Sequence, residues 1–195
     1  MSAVPAPMQV RRSHNPAVVH QAPAGRQRSK VSLRSATPAD ADRIYALLNE
    51  HLTEGRLLPR RVDEITAHAH RFVVAVQRDR LVGCADLAPL SRTVAEVRTL
   101  VVTPEARSHG LGRRIVDELE RRAIRAGFQK LCAFTHAPAY FVEMGFSIVP
   151  HVWLPEKIDV DCRSCAHFRR CGQYAVLLPL ALQRPTCVPL TSLHG

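Results

Sequence analysis

Three groups of residues have types and spacings suited to chemistry. The first is Arg107-x-x-Gly110-x-Gly112, which follows a run of β-formers ending at Val102 and precedes a helical pattern. Glycines let the backbone approach phosphate oxygens with no Cβ in the way, consecutive amides point into the concavity, and a helix N-terminus adds about half a positive charge. With Arg113 and Arg114 next to it, the segment reads as a pyrophosphate cradle; a plain helix start is the alternative. The second group is Glu96 and Arg98, two residues apart on an expected strand and so on one face of it. Such a pair serves a reaction site or an ordinary strand ion pair. The third is Cys162-x-x-Cys165 with Cys171, whose first pair has zinc-knuckle spacing. A structural zinc would need a fourth ligand from His167, Cys84, Cys132 or His151, and reduced thiols packing a loop are the alternative.

These groups need elements to hold them. A short strand, 31–34, runs into Thr37-Pro38-Ala39-Asp40, which offers an N-cap Thr, a Pro at the first helical position and an acid in the first turn. Ile44, Leu47 and Leu48 then recur at helical spacing toward Gly55, and a second short helix is expected over 62–70. Residues 72–76 and 81–87 read as two antiparallel strands about the polar turn Arg78-Asp79-Arg80, and 94–102 as a third. Leu111, Ile115 and Leu119 mark one face of an amphipathic helix reaching Gly127. A strand over 131–135, a short helix over 139–144 and a last strand over 173–180 complete an α/β (α+β) order with several antiparallel neighbours.

Composition bounds the rest. The 195 residues suit one domain, and no apolar run approaches a membrane span. Half of the +10 net charge lies in residues 1–30, which carry Arg11, Arg12, Arg26, Arg28 and Lys30 and no acid. This stretch reads as a disordered basic Pro/Ala-rich tail, residues 31–181 as the folded domain and 182–195 as a flexible C-terminal tail. The remaining basic charge has no interleaved aromatics and no nucleic-acid motif, so anionic small molecules are the expected partners and nucleic acid and membrane are not. No apolar leader precedes the domain, which favours a cytoplasmic location with reduced thiols.

The run Val97-Arg98-Thr99-Leu100-Val101-Val102-Thr103-Pro104-Glu105-Ala106-Arg107-Ser108-His109-Gly110-Leu111-Gly112 resembles motif A of the GNAT acetyltransferases, and Tyr140-Phe141-x-x-x-Gly145-Phe146 resembles their short helix and terminal Gly-Phe. The resemblance implies the GNAT acyl-CoA N-acyltransferase fold, a mixed, mostly antiparallel sheet flanked by helices. It also implies acetyl-CoA as co-substrate, held by Leu100, Val101 and Val102 and by Arg107, Ser108, His109, Gly110, Leu111, Gly112 and Arg113. Within the family, Ala95 to Leu100, Phe134-Thr135, Leu154-Pro155-x-Lys157-Ile158 and Asp161-Cys162-x-x-Cys165 with Cys171 are similar to the short, free-standing bacterial N-acetylglutamate synthases of arginine biosynthesis. Two departures stand out: Gly172-Gln173 replaces an Asp-Glu pair, and Phe141 falls where many of these enzymes carry a general-acid tyrosine.

If the resemblance holds, the chain is an acyltransferase that acetylates the α-amino group of L-glutamate. Glu96 is then the candidate base, directly or through water, and Tyr140 the candidate acid. A dicarboxylate acceptor calls for cationic clamps, for which Arg98, Arg71 and His136 are the candidates. An acceptor that is another amino acid, a polyamine or a protein amine remains open, as do a non-catalytic acyl-CoA sensor and assembly as a homodimer.

Overall fold

The computed structural model describes residues 30–52, 57, 59–165 and 167–180. The assigned tails lie outside these residues, apart from Lys30, as does the expected helix end near Gly55. The chain runs β1 (Ser32–Ser35), α1 (Ala41–Leu52), α2 (Val62–Ala67), β2 (Phe72–Gln77), β3 (Arg80–Pro89), β4 (Val94–Val102), α3 (Leu111–Arg125), β5 (Lys130–Thr135), α4 (Pro138–Val142), β6 (Ser147–Val149), α5 (Pro155–Lys157) and β7 (Tyr174–Pro179). Seven strands form one sheet in the order β1-β2-β3-β4-β5-β7-β6, antiparallel except for the β4–β5 pair. The mixed, mostly antiparallel sheet flanked by helices is the architecture that the family resemblance implied, with one strand, β6, more than the sequence pattern shows.

Alternation along the strands feeds two cores. Val73, Ala75, Ala85, Ala95 and Val97 face α3, whose Leu111, Ile115, Val116, Leu119 and Ala123 are all buried. Phe72, Val74, Cys84 and Val101 face the other way, against Ile44, Leu47 and Leu48 of α1 and Ile65 of α2. The three leucine and isoleucine positions that marked one face of α3 are thus its buried stripe. Glu96 and Arg98 lie on the face opposite Ala95 and Val97.

Two irregularities on β4 shape everything that follows. Cys84 pairs with Val101 and Asp86 with Arg98, so two β4 residues oppose Ala85 alone. Thr99 sits in this bulge with φ +58°, a left-handed conformation that re-aims the strand beyond it. On its other side, β4 pairs with β5 only at Val94–Glu96, matched to Lys130–Cys132. From Val97 onward the two strands part.

Residues 147–149 and 151–162 form elements that the sequence reading left unassigned. β6 is three residues long and is held by β7. Beyond it come a 3-10 turn at His151–Trp153, then α5, then a π-helical turn at Ile158–Cys162. Elements this short have no measurable period, and π turns are uncommon and favour functional sites.

The start of the domain is pinned by charge. Asp40 accepts two hydrogen bonds from the Arg34 guanidinium at 2.7 Å each, and others from the Thr37 backbone N–H (2.8 Å) and hydroxyl (3.0 Å). The Arg34 hydrogen bonds, more than Thr37, hold the Asp40 carboxyl far below the usual carboxylate range against the opposing effect of burial. A carboxyl with a depressed folded pKa stabilises above its unfolded value, near about 3.9, and that contribution fades as pH falls toward the folded value. Asp40→Ala should therefore cost about 1–2 kcal/mol at pH 7 by urea unfolding, with the difference from wild type shrinking as the pH drops below 4.

Candidate active site

The parting of β4 and β5 opens a cleft of about 910 Å³. Glu96 to Val102 of β4 form one wall, and Ala133 to Ala137 form the other. Arg107, Ser108, Gly110, Gly112 and Arg113 close one end, while Lys157, Asp161 and Gln173 close the other. Backbone amides and carbonyls of β4 beyond Glu96 face this space without a β5 partner, so a strand-like ligand can take up their hydrogen bonds. At the basic end Ser108 (φ +61°) and Gly110 (φ +69°) bend the chain into the first turn of α3. The turn therefore presents amides and a helix N-terminus to the cleft, with Arg107 and Arg113 on its rim.

At the opposite end sits a network of four charges. Glu96, only 3% exposed, accepts hydrogen bonds from Arg98 Nε on Oε2 and from Lys157 Nζ on both oxygens at 2.8 Å. Asp161 Oδ2 bonds Arg98 Nη2 and lies 3.0 Å from Lys157 Nζ. The Lys157 ammonium also stands 5.1 Å from the centroid of the Phe134 ring. Two anions and two cations cancel, which is what permits them to sit together at low exposure. Next to them, Asp86 is buried and accepts from Arg60 Nη2 at 2.9 Å, and Arg60 reaches on to Glu64. Burial lifts the Asp86 carboxyl above its usual range, against the pull of Arg60, Arg98 and Arg71. Among the described residues, Asp86 Oδ1 and Arg60 Nε have no hydrogen-bond partner.

Tyr140, on α4, turns its hydroxyl into the cleft over the first turn of α3. A Cβ added to Gly112 would overlap that hydroxyl, so glycine at 112 makes room for the phenol. Burial, helped by Asp117 and opposed by Arg113, raises the Tyr140 pKa, so the phenol keeps its proton at neutral pH. Phe141, at the position of the expected general-acid tyrosine, is buried instead and packs edge-on against Phe146.

An uncharacterized N-acetyltransferase of Chlorobaculum tepidum is 30% identical over 148 residues, which span 76% of this chain and 96% of that protein. Residues 41–146 match the acetyltransferase (GNAT) family. The chain belongs to this family. Membership makes it an acetyltransferase. An amino-acid acetyltransferase of Neisseria meningitidis is 31% identical over 69% of the chain, although this stretch spans only 31% of that longer protein. The N-acetylglutamate synthase of Neisseria gonorrhoeae, solved with coenzyme A and N-acetyl-glutamate, has a TM-score of 0.71 and 27% identity over 78% of this chain and 36% of that one.

The acetyltransferase cleft gathers Glu96, Arg98, Leu100, Val101, Val102, Arg107, Ser108, Gly110, Leu111, Gly112, Arg113, His136 and Tyr140 of the residues singled out from sequence. His109 and Arg71 are not in its wall. The exposed His109 ring hydrogen-bonds the Arg107 carbonyl at 2.6 Å, and the charge of Arg71 acts on Asp86. The structural zinc is a correction. Among the described residues no group of three or more His, Cys, Asp or Glu side chains is placed to hold a metal, and Cys162, Cys165 and Cys171 carry free thiols. Only Cys165 reaches the cleft, while Cys171 is exposed and its Sγ lies against Gln173 Oε1. The proposed outside ligands are committed elsewhere: burial pushes the Cys84 thiol up to about 12 and raises Cys132 as well, and His151 Nε2 pairs with the Gln173 carbonyl.

Sequence reasoning missed Lys157, Asp161 and Arg60. The signal for the first two was present, because both belong to the Leu154-to-Cys171 stretch that set this chain apart within its family. Gly112→Ala should lower stability by about 1–3 kcal/mol in chemical denaturation, and adding Tyr140→Phe should recover most of that loss. A loss that persists in the double variant would separate the glycine from the phenol.

Proposed function

We propose that this acetyltransferase transfers the acetyl group of acetyl-CoA to the α-amino group of L-glutamate. The observation that carries the reading is the placement of Arg98 and Lys157 beside buried Glu96 in the cleft between β4 and β5. An amino-acid acceptor has an amine to be deprotonated and a carboxylate to be held, and this end of the cleft offers an acid side chain flanked by two cations. The likeness to amino-acid acetyltransferases and to the gonococcal N-acetylglutamate synthase supports the same acceptor.

The residues fit coenzyme A. Leu100, Val101 and Val102 have main-chain groups facing the cleft for an extended pantetheine arm. The turn from Arg107 to Gly112, with Arg113, has the amides and charge for a diphosphate. Acetyl-CoA supplies a thioester, whose C–S bond breaks as the new N–C bond forms. Glu96 Oε1, which among the described residues accepts a hydrogen bond from Lys157 alone, keeps a lone pair to take the ammonium proton directly or through water. The protonated Tyr140 hydroxyl can return a proton to the departing sulfur, although a thiolate, whose acid has a pKa of about 8.5, is already a tolerable leaving group. Backbone N–H groups of β4 beyond Glu96 are suited to the oxyanion.

One observation favours a second acceptor within the same class. Glu96 and Asp161 already balance Arg98 and Lys157, and Gly172-Gln173 stands at the cleft with Gly172 beside the His136 ring. A neutral amide side chain such as that of L-glutamine suits a wall without excess charge. Thiol release from acetyl-CoA measured against all twenty amino acids, spermidine and a lysine peptide should show the highest kcat/KM with L-glutamate. A higher value for another acceptor would replace it. Glu96→Gln should lower kcat by about 10²–10⁴ at pH 7 and by less at pH 9, where more of the free amine is present; unchanged turnover at pH 7 would remove Glu96 as the base.

A further inference from the structure

Two carboxylates share the cations of the site, and they differ in one respect that matters. Glu96 belongs to the sheet and lies in the cleft wall with its side chain only 3% exposed, whereas Asp161 stands on the π-helical turn with its side chain 35% exposed and facing the cleft. Lys157 has three N–H donors. Three acid oxygens surround its Nζ: Oε1 and Oε2 of Glu96 at 2.8 Å and Oδ2 of Asp161 at 3.0 Å. Arg98 is divided in the same way, with Nε toward Glu96 and Nη2 toward Asp161. Both cations therefore spend their inner contact on Glu96 and their cleft-side contact on Asp161.

An amine brought to Glu96 has a carboxylate two bonds away if its owner is an α-amino acid. That carboxylate must settle beside Glu96, where the cation contacts facing the cleft are those taken by Asp161. We propose that Asp161 holds the place of the acceptor's α-carboxylate: it keeps Arg98 and Lys157 paired in the free enzyme and is displaced when the amino acid binds. The inference rests on the reading of the acceptor as an α-amino acid and adds to it how the carboxylate is recognised.

The physical logic is that of a competing internal ligand. Arg98 and Lys157 at low exposure would be costly without an anion on each side, and Asp161 supplies the second one until a substrate does. Displacement stays inexpensive because Asp161 is partly solvated, sits on a single turn rather than on the sheet, and exchanges one carboxylate for another on the same donors. Asp161 thereby sets a threshold for binding, since ligands without an α-carboxylate have nothing to offer in exchange. The neutral balance of the four charges is preserved throughout.

The test is calorimetric titration of L-glutamate and of 4-aminobutyrate, its analogue lacking the α-carboxylate, into the full chain saturated with coenzyme A. Asp161→Asn should tighten L-glutamate by about three- to tenfold, the scale of a partly exposed charge contact, and leave 4-aminobutyrate nearly unchanged. Asp161→Glu, which restores a carboxylate, should return affinity toward wild type. Weaker or unchanged L-glutamate binding in a variant whose melting temperature matches wild type overturns the proposal, and an equal gain for both ligands overturns it too by showing only a change in overall field. If turnover shows another amino acid to be the acceptor, the same titration is run with that amino acid and its decarboxylated amine. The glutamate reading then falls while the role of Asp161 is still decided.

Discussion

The whole site depends on where β4 and β5 stop pairing. Parallel strands joined as far as Glu96 and Cys132 would, if continued, seal the sheet and use up the main-chain groups of β4. Their separation leaves the main-chain groups on the β5 side of β4 beyond Glu96 without a strand partner, a cost that a hydrogen-bonding ligand removes, although the Val102 carbonyl already accepts from Arg107 Nε. The bulge at Thr99 acts on the same stretch from the β3 side, turning the strand so that Val101 rejoins the core beside Cys84 while the segment still borders the cleft. A sheet that is continuous elsewhere thus carries one opening, and the residues of the proposed reaction line it.

The two ends of the opening are built on different physics. One end is a backbone device, in which a bent turn and the start of a 15-residue helix focus partial positive charge on a small volume, with arginines beside it. The other end is a side-chain device, made of Glu96, Arg98, Lys157 and Asp161. Backbone cradles tolerate a diphosphate of any attached group, whereas a paired set of charges discriminates by the position of each one. Under the proposed function, affinity for the acyl donor and selectivity for the acceptor fall to separate parts of the chain.

Tyr140 and Gly112 meet at the backbone end. The phenol occupies the room that a side chain at 112 would take, so Gly112 seats the hydroxyl while Gly110 and Ser108 make the bend. The five described cysteines, by contrast, divide into two packing residues, Cys84 and Cys132, whose thiols burial keeps protonated, and three on the strap that precedes β7. Despite their zinc-like spacing, no group of three or more ligand-type side chains is placed to hold a metal among the described residues.

Much of the fold was legible in the sequence, because periodicity and capping act over a few residues: the buried stripe of α3, the hairpin of β2 and β3, the turn from Arg107 to Gly112, and the shared face of Glu96 and Arg98. Tertiary structure alone decided that Lys157 and Asp161 reach back across 61 and 63 positions to those two side chains, that Thr99 breaks the alternation, and that β4 and β5 part after three pairs. Local propensity carries no information about such meetings. They arise when distant elements pack, and there the pairing of buried charge, not the order of residues, determines who stands next to whom.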